Sequence, residues 1–153
     1  MKTNQQLAKN LYQVYFGGNW TASNFKDTLK DVSVELATKK REGLNTILAL
    51  SYHIHYYLKG TMAVLKGNPL TIRDKYSFNH TSIKTEGEWQ KFQKQMWIEA
   101  KEFISLIEQL DDDIRNTYFV EEKYGNYYRN FAGIIEHTHY HLGQIVILKK
   151  LDS

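Results

Sequence analysis

The chain has 153 residues, 42% apolar and 24% charged, which suits one folded domain spanning 1–153 and excludes a disordered polymer. It has no cysteine, so disulfides and thiolate ligation are excluded and any metal must be held by nitrogen and oxygen. The net charge of +3 is small, and its lysines are interleaved with acids, as in Glu121-Glu122-Lys123; this reads as a solvated surface, and no nucleic-acid partner is expected.

A single proline in the chain and long stretches of 3.6-residue period predict an all-α fold. Thr3 to Phe16 reads as a first helix, with Thr3 as N-cap and Leu7, Leu11, Val14 and Tyr15 as its apolar stripe. Gly17-Gly18-Asn19 stops it. Trp20 to Lys30 is a connection with one short helical piece, and Ser33 resembles an N-cap for a further short helix, Val34 to Arg41. Gly43 or Asn45 opens a long helix running to about Lys66. Its apolar residues are dense enough to predict burial on more than one side. Gly67-Asn68-Pro69 ends it.

Leu70 to Lys84 has turn-forming residues and no period; connections of this length are often binding or covering loops. Thr85-Glu86-Gly87-Glu88 matches a capping box, opening a helix with the stripe Trp89, Phe92, Met96, Ala100, Phe103, Ile107 and Leu110. Asp111-Asp112-Asp113 would oppose the dipole of a helix C-terminus and is assigned to the following turn. Asn126 caps a last helix reaching about Leu151. Four long helices with short auxiliary pieces predict a four-helix bundle. The long loop between the second and third leaves room for a crossover connection, so a simple up-down-up-down order is not implied.

Three of the six histidines fall in Glu136-His137-Thr138-His139-Tyr140-His141 on the last helix. At about 100° per residue, His137 and His141 share one face, whereas His139 lies about 200° away. Two imidazoles one turn apart can grip one metal ion. The second long helix offers His53 and His55 as a third donor. Lys59 shares a face with His55 and places it nearer solvent, which favours His53 as the inward residue. Three neutral imidazoles would leave coordination positions open for water or substrate, as in catalytic sites. Gln144, Asn130 and nearby tyrosine hydroxyls are the candidates for holding the second ring nitrogens. Glu136 lies about 100° off the ligand face and reads as a solvated charge. The paired Glu-x-x-His of di-iron bundles occurs only once, as Glu136 to His139; His-Glu-x-x-His and Gly-x-Ser-x-Gly are absent.

His53-Ile54-His55-Tyr56-Tyr57 followed far downstream by His137-x-x-x-His141-x-Gly143-Gln144 resembles the DinB/YfiT-like superfamily. The string Tyr124-Gly125-Asn126-Tyr127-Tyr128-Arg129-Asn130 through Gly133-Ile134-Ile135-Glu136-His137 is similar to an uncharacterised branch of it. The resemblance covers essentially the whole chain. It implies a DinB-like helical bundle with His53, His137 and His141 as ligands of a divalent ion such as zinc, nickel or iron. It also implies a metal-dependent enzyme, either a hydrolase or a transferase using a low-molecular-weight thiol, acting on a small-molecule substrate. Many relatives have an arginine where this chain has Leu142, so any role of that arginine is not carried over. With the aromatic content, the resemblance makes a homodimer the expected assembly. The competing expectation is a non-catalytic, stress-related binding or scaffold bundle whose metal is structural or absent. The polar start Met1 to Gln6 and the lack of a long apolar run predict a cytoplasmic protein without a membrane span.

Overall fold

A computed structural model describes residues 2–151. It contains six α-helices: α1 (Thr3–Phe16), α2 (Phe25–Leu29), α3 (Val34–Thr38), α4 (Ile47–Leu65), α5 (Glu86–Gln109) and α6 (Tyr127–Lys150). Single 3-10 turns cover Asp74–Tyr76, Asp112–Asn116 and Glu122–Tyr124, and there is no β-strand among the described residues.

Local chemistry sets most of the boundaries. Ser33, Thr46, Thr85 and Asn126 each accept a backbone N–H of the first turn they precede. At Thr85 the box is reciprocal, because the Glu88 carboxylate accepts the Thr85 N–H at 3.0 Å. Gly17, at φ +112°, ends α1 in a conformation that L side chains rarely adopt. Three expected boundaries move. Thr46, rather than Gly43 or Asn45, caps α4. The α3 helix stops at Thr38, whose hydroxyl donates back to the Val34 carbonyl at 2.8 Å. Thr3 is the first helical residue of α1 and not its cap. Its N–H and that of Asn4 both donate to the Asp112 carboxylate, each at 3.0 Å, so the cap comes from the turn after α5.

The long helices form a four-helix bundle in which α5 and α6 each flank both α1 and α4. Asn4 reaches the carbonyls of Leu110 and Asp111, and Tyr15 and Phe16 pack on Trp97, so α1 and α5 run antiparallel. His55 and Lys59 reach Glu99, and Lys66 reaches Glu102, so α4 and α5 run parallel. The contacts His53–His141 and Tyr57–His137 make α6 antiparallel to α4. The order is therefore up, down, down, up, and the connection between the parallel pair must travel the length of the bundle. It does so as a strap lying back along α4. Ile72 covers Gly60; the Tyr56 hydroxyl donates to the Arg73 carbonyl and accepts the Arg73 N–H; the Tyr57 hydroxyl donates to Asp74 at 2.5 Å; and Phe78 reaches His53.

Both expected stripes lie in the core. Leu7, Leu11, Val14 and Tyr15 are buried from α1, and Trp89, Met96, Ala100, Phe103 and Ile107 from α5. Trp89 also donates its indole N–H to the Val32 carbonyl at 2.7 Å, which ties the α2–α3 segment to α5. No helix of the described residues is long and apolar enough to cross a membrane.

Candidate metal centre

The antiparallel pairing of α4 and α6 brings His53 opposite His137 and His141. The Nε2 atoms of His53 and His137 are 3.0 Å apart, and ring centroids within the trio are separated by 4.5 to 4.8 Å. One ring nitrogen from each falls within 4.8 Å of the others, a spacing at which the three could hold a metal ion. The three imidazoles that the face argument selects thus lie together.

The surroundings of His137 and His53 favour the neutral ring. Burial pushes the pKa of His137 down to about 4, and the neighbouring His141 and His53 push in the same direction. Burial also lowers that of His53, again with help from His141, while the Ser77 backbone and Asp74 pull the other way. Neutral imidazole is the form that binds a cation, so this donor set fits a divalent ion. His141 donates its Nδ1–H to the Gln144 amide oxygen at 2.6 Å, which fixes the ring and leaves Nε2 with a free lone pair. Gln144 is one of the expected holders. Asn130 is not, because its amide donates to the Tyr124 and Asn126 carbonyls and stabilises the start of α6. Aromatic rings enclose the trio. Phe78 stacks on His53 at 4.0 Å and 6°, Tyr57 sets its edge against His53 and His137, and Tyr140 packs on His141.

The remaining histidines lie elsewhere. His139 is half-buried on another face of α6, where burial lowers its pKa. His80 donates from Nδ1 to the Thr81 carbonyl at 2.9 Å and packs near Tyr52. Glu136 is exposed. The inference that His55 lies nearer solvent is wrong: it is 5% exposed against 6% for His53. Glu99 of α5 covers it and pairs with its Nε2, and Lys59 reaches over that carboxylate from the solvent side. Lys59 therefore marks a half-buried acid rather than an exposed histidine. Leu142, where many relatives carry arginine, is 2% exposed and belongs to the apolar core.

The trio forms one end of a cavity of about 680 Å³ between α4, α6 and the strap. Leu70, Ile72, Phe119 and Ile134 give it apolar walls, and Asp74 is its one carboxylate among the described residues. Three of its features escaped the sequence reading: Phe78 over His53, Asp74 on the wall, and Arg129 at the far end. Nothing in an aperiodic loop marked the first two. The spacing of four from Arg129 to Gly133 and again to His137 was a usable signal for the third.

A helical bundle with one long crossover and a three-imidazole cluster at the end of a cavity defines a class of candidate metal-binding proteins. The DinB superfamily matches residues 19–145, the greater part of the chain. This chain belongs to the DinB superfamily. No curated protein and no solved structure matches it.

Proposed function

We propose that this protein is a metal-dependent enzyme in which His53, His137 and His141 hold a divalent cation and the adjoining cavity receives a small molecule. The observation that carries this reading is the convergence of three imidazoles at one end of a 680 Å³ cavity. A structural site would be closed by a fourth protein ligand, whereas this trio has no cysteine, carboxylate or further histidine joining it among the described residues.

The cation, when bound, would supply Lewis acidity to a water or a thiol brought into the cavity. The chain's own residues prepare the centre. Burial keeps the rings of His53 and His137 unprotonated, and Gln144 fixes the orientation of His141. Phe78 and Tyr57 exclude water from the His53 side. Hydrolysis would in addition need a base to take a proton from water. Among the described residues Asp74 is the only carboxylate on the wall, and it already accepts the Tyr57 hydroxyl. Group transfer onto a low-molecular-weight thiol asks less of the wall, because a thiol, with an ordinary pKa of about 8.5, can lose its proton to solvent as it binds the cation, and it is the reaction type this cavity supports best; hydrolysis through Asp74 is the second.

The test is metal analysis of protein purified without chelators or an affinity tag that binds metal. Wild type is expected to carry or take up about one dication per chain, and His141→Ala to fold normally without it. Wild-type protein that stays metal-free after incubation with zinc, nickel and iron would overturn the proposal.

A further inference from the structure

The cavity is asymmetric. The imidazole trio occupies one end, and Arg129 lines the other. Arg129 precedes His137 by eight positions on α6, which is about 12 Å of axial rise. Its guanidinium makes no ion pair and no hydrogen bond among the described residues. Asp74, an acid on the same wall, is engaged by Tyr57. Gly125 leaves room for the Arg129 stem: a Cβ there would lie 2.5 Å from Arg129 Cδ. Gly125 also needs its own freedom, at φ +74°.

Midway between Arg129 and His137 stands Gly133, one turn from each. Glycine inside a helix costs roughly 0.5–1 kcal/mol relative to alanine and is usually repaid by close packing. No packing requires it here, because a Cβ at Gly133 would meet nothing within 4 Å. What the missing side chain provides is open floor along the cavity, from the guanidinium to the imidazoles.

We infer that this cavity takes an elongated small molecule bearing a carboxylate or similar anionic group, bound by Arg129, with its reacting end at the histidine trio and its middle lying over Gly133. The placement of the reacting end rests on the reading of the trio as a metal centre; the anionic end and the glycine floor do not. Arg129 is a specificity-determining residue in this scheme, since its planar fork suits a carboxylate or phosphate-type oxygen pair. The rest of the lining fits such a ligand, with aliphatic walls from Leu70, Ile72 and Ile134 along the span.

The probes are ω-mercaptooctanoate and ω-mercaptooctanol, which have the same thiol and chain and differ in the anionic end. Each is titrated calorimetrically into wild-type, Arg129→Gln, Arg129→Lys and Gly133→Leu protein, both zinc-loaded and metal-free. Zinc-loaded wild type should prefer the acid by roughly tenfold or more, the range of one charge-assisted contact. Arg129→Gln should erase the preference with zinc stoichiometry unchanged, and Arg129→Lys should keep part of it. Gly133→Leu, which favours the helix, should fold and abolish binding of both probes. Equal affinities for acid and alcohol in wild type, a preference surviving Arg129→Gln, or no binding of either probe would overturn the inference. If wild type takes up no zinc yet metal-free protein still prefers the acid through Arg129, the metal-centre reading fails while the anion site stands.

Discussion

Two helical glycines, Gly60 and Gly133, should respond oppositely to the same substitution. Neither has a positive φ, so alanine is allowed at both, and each change should gain roughly 0.5–1 kcal/mol of helix propensity. At Gly133 nothing offsets the gain. At Gly60 the new Cβ would sit 2.5, 2.6 and 2.9 Å from three carbons of Ile72, where ordinary contact is about 3.5–4.0 Å. Ile72 must therefore retreat by about 1 Å, taking its backbone along, because the contacts include the branch carbons and not only the chain end. Overpacking of this kind costs about 1–3 kcal/mol, so Gly60→Ala should be net destabilising by about 1 kcal/mol. The gap between the two variants should be about 2 kcal/mol, or roughly 4–8 °C in melting temperature for a chain of this size. Parallel thermal and urea denaturation followed by circular dichroism measures it. Hydrogen exchange at the Arg73 amide, which donates to Tyr56, should quicken in Gly60→Ala alone. A Gly60→Ala protein as stable as Gly133→Ala would refute the close fit of strap and helix.

Other consequences are testable in the same way. Gln144→Leu removes the acceptor for the His141 Nδ1–H and should weaken zinc binding about 10- to 100-fold in competition with a chromophoric chelator, while Gln144→Glu should retain most of it; equal affinities for Leu and Gln would rule out the orienting role. Glu99 is held down to about 2, first by its hydrogen bond with His55, below an unfolded value near 4.3. Its stabilising contribution is therefore fully present above about pH 4.3 and fades as pH falls towards about 2. Glu99→Gln should lose about 1 kcal/mol at neutral pH, after allowing for solvent screening of a partly exposed pair, and its stability should fall less steeply than that of wild type over that acid window. Urea titrations at a series of pH values would show parallel curves if the pair contributes nothing.

What the sequence disclosed follows what is local. The capping box at Thr85, the Asn126 cap and the stripes of α1 and α5 depend on neighbours within a few positions, and they stand where they were expected. The ligand-face pairing of His137 with His141 is also local, since one helical turn relates them. Failures came where a distant segment supplied the partner. Asp112 caps α1 at Thr3 across 109 positions, and Glu99 buries His55 across 44, and neither relation leaves a period to read. The preference for His53 over His55 rests on Lys59 as a sign of solvent, yet Lys59 lies over the Glu99 carboxylate, and it is the antiparallel pairing of α4 and α6 that brings His53 to His137 and His141. The strap has no periodicity because its conformation is set by the α4 surface it covers, through Gly60, Tyr56 and Tyr57.

The capping of α1 by Asp112 also bears on the order in which a nascent chain can fold. Synthesis delivers α1 first, yet the helices against which it packs are α5 and α6, and its first turn is closed by a carboxylate that emerges after α5. Until then its apolar face has no native partner among the long helices. His53, likewise made early, meets His137 and His141 only when the last helix has formed. The imidazole trio consequently cannot assemble before α6 has been made, and a cation held there would have to arrive after that helix has formed.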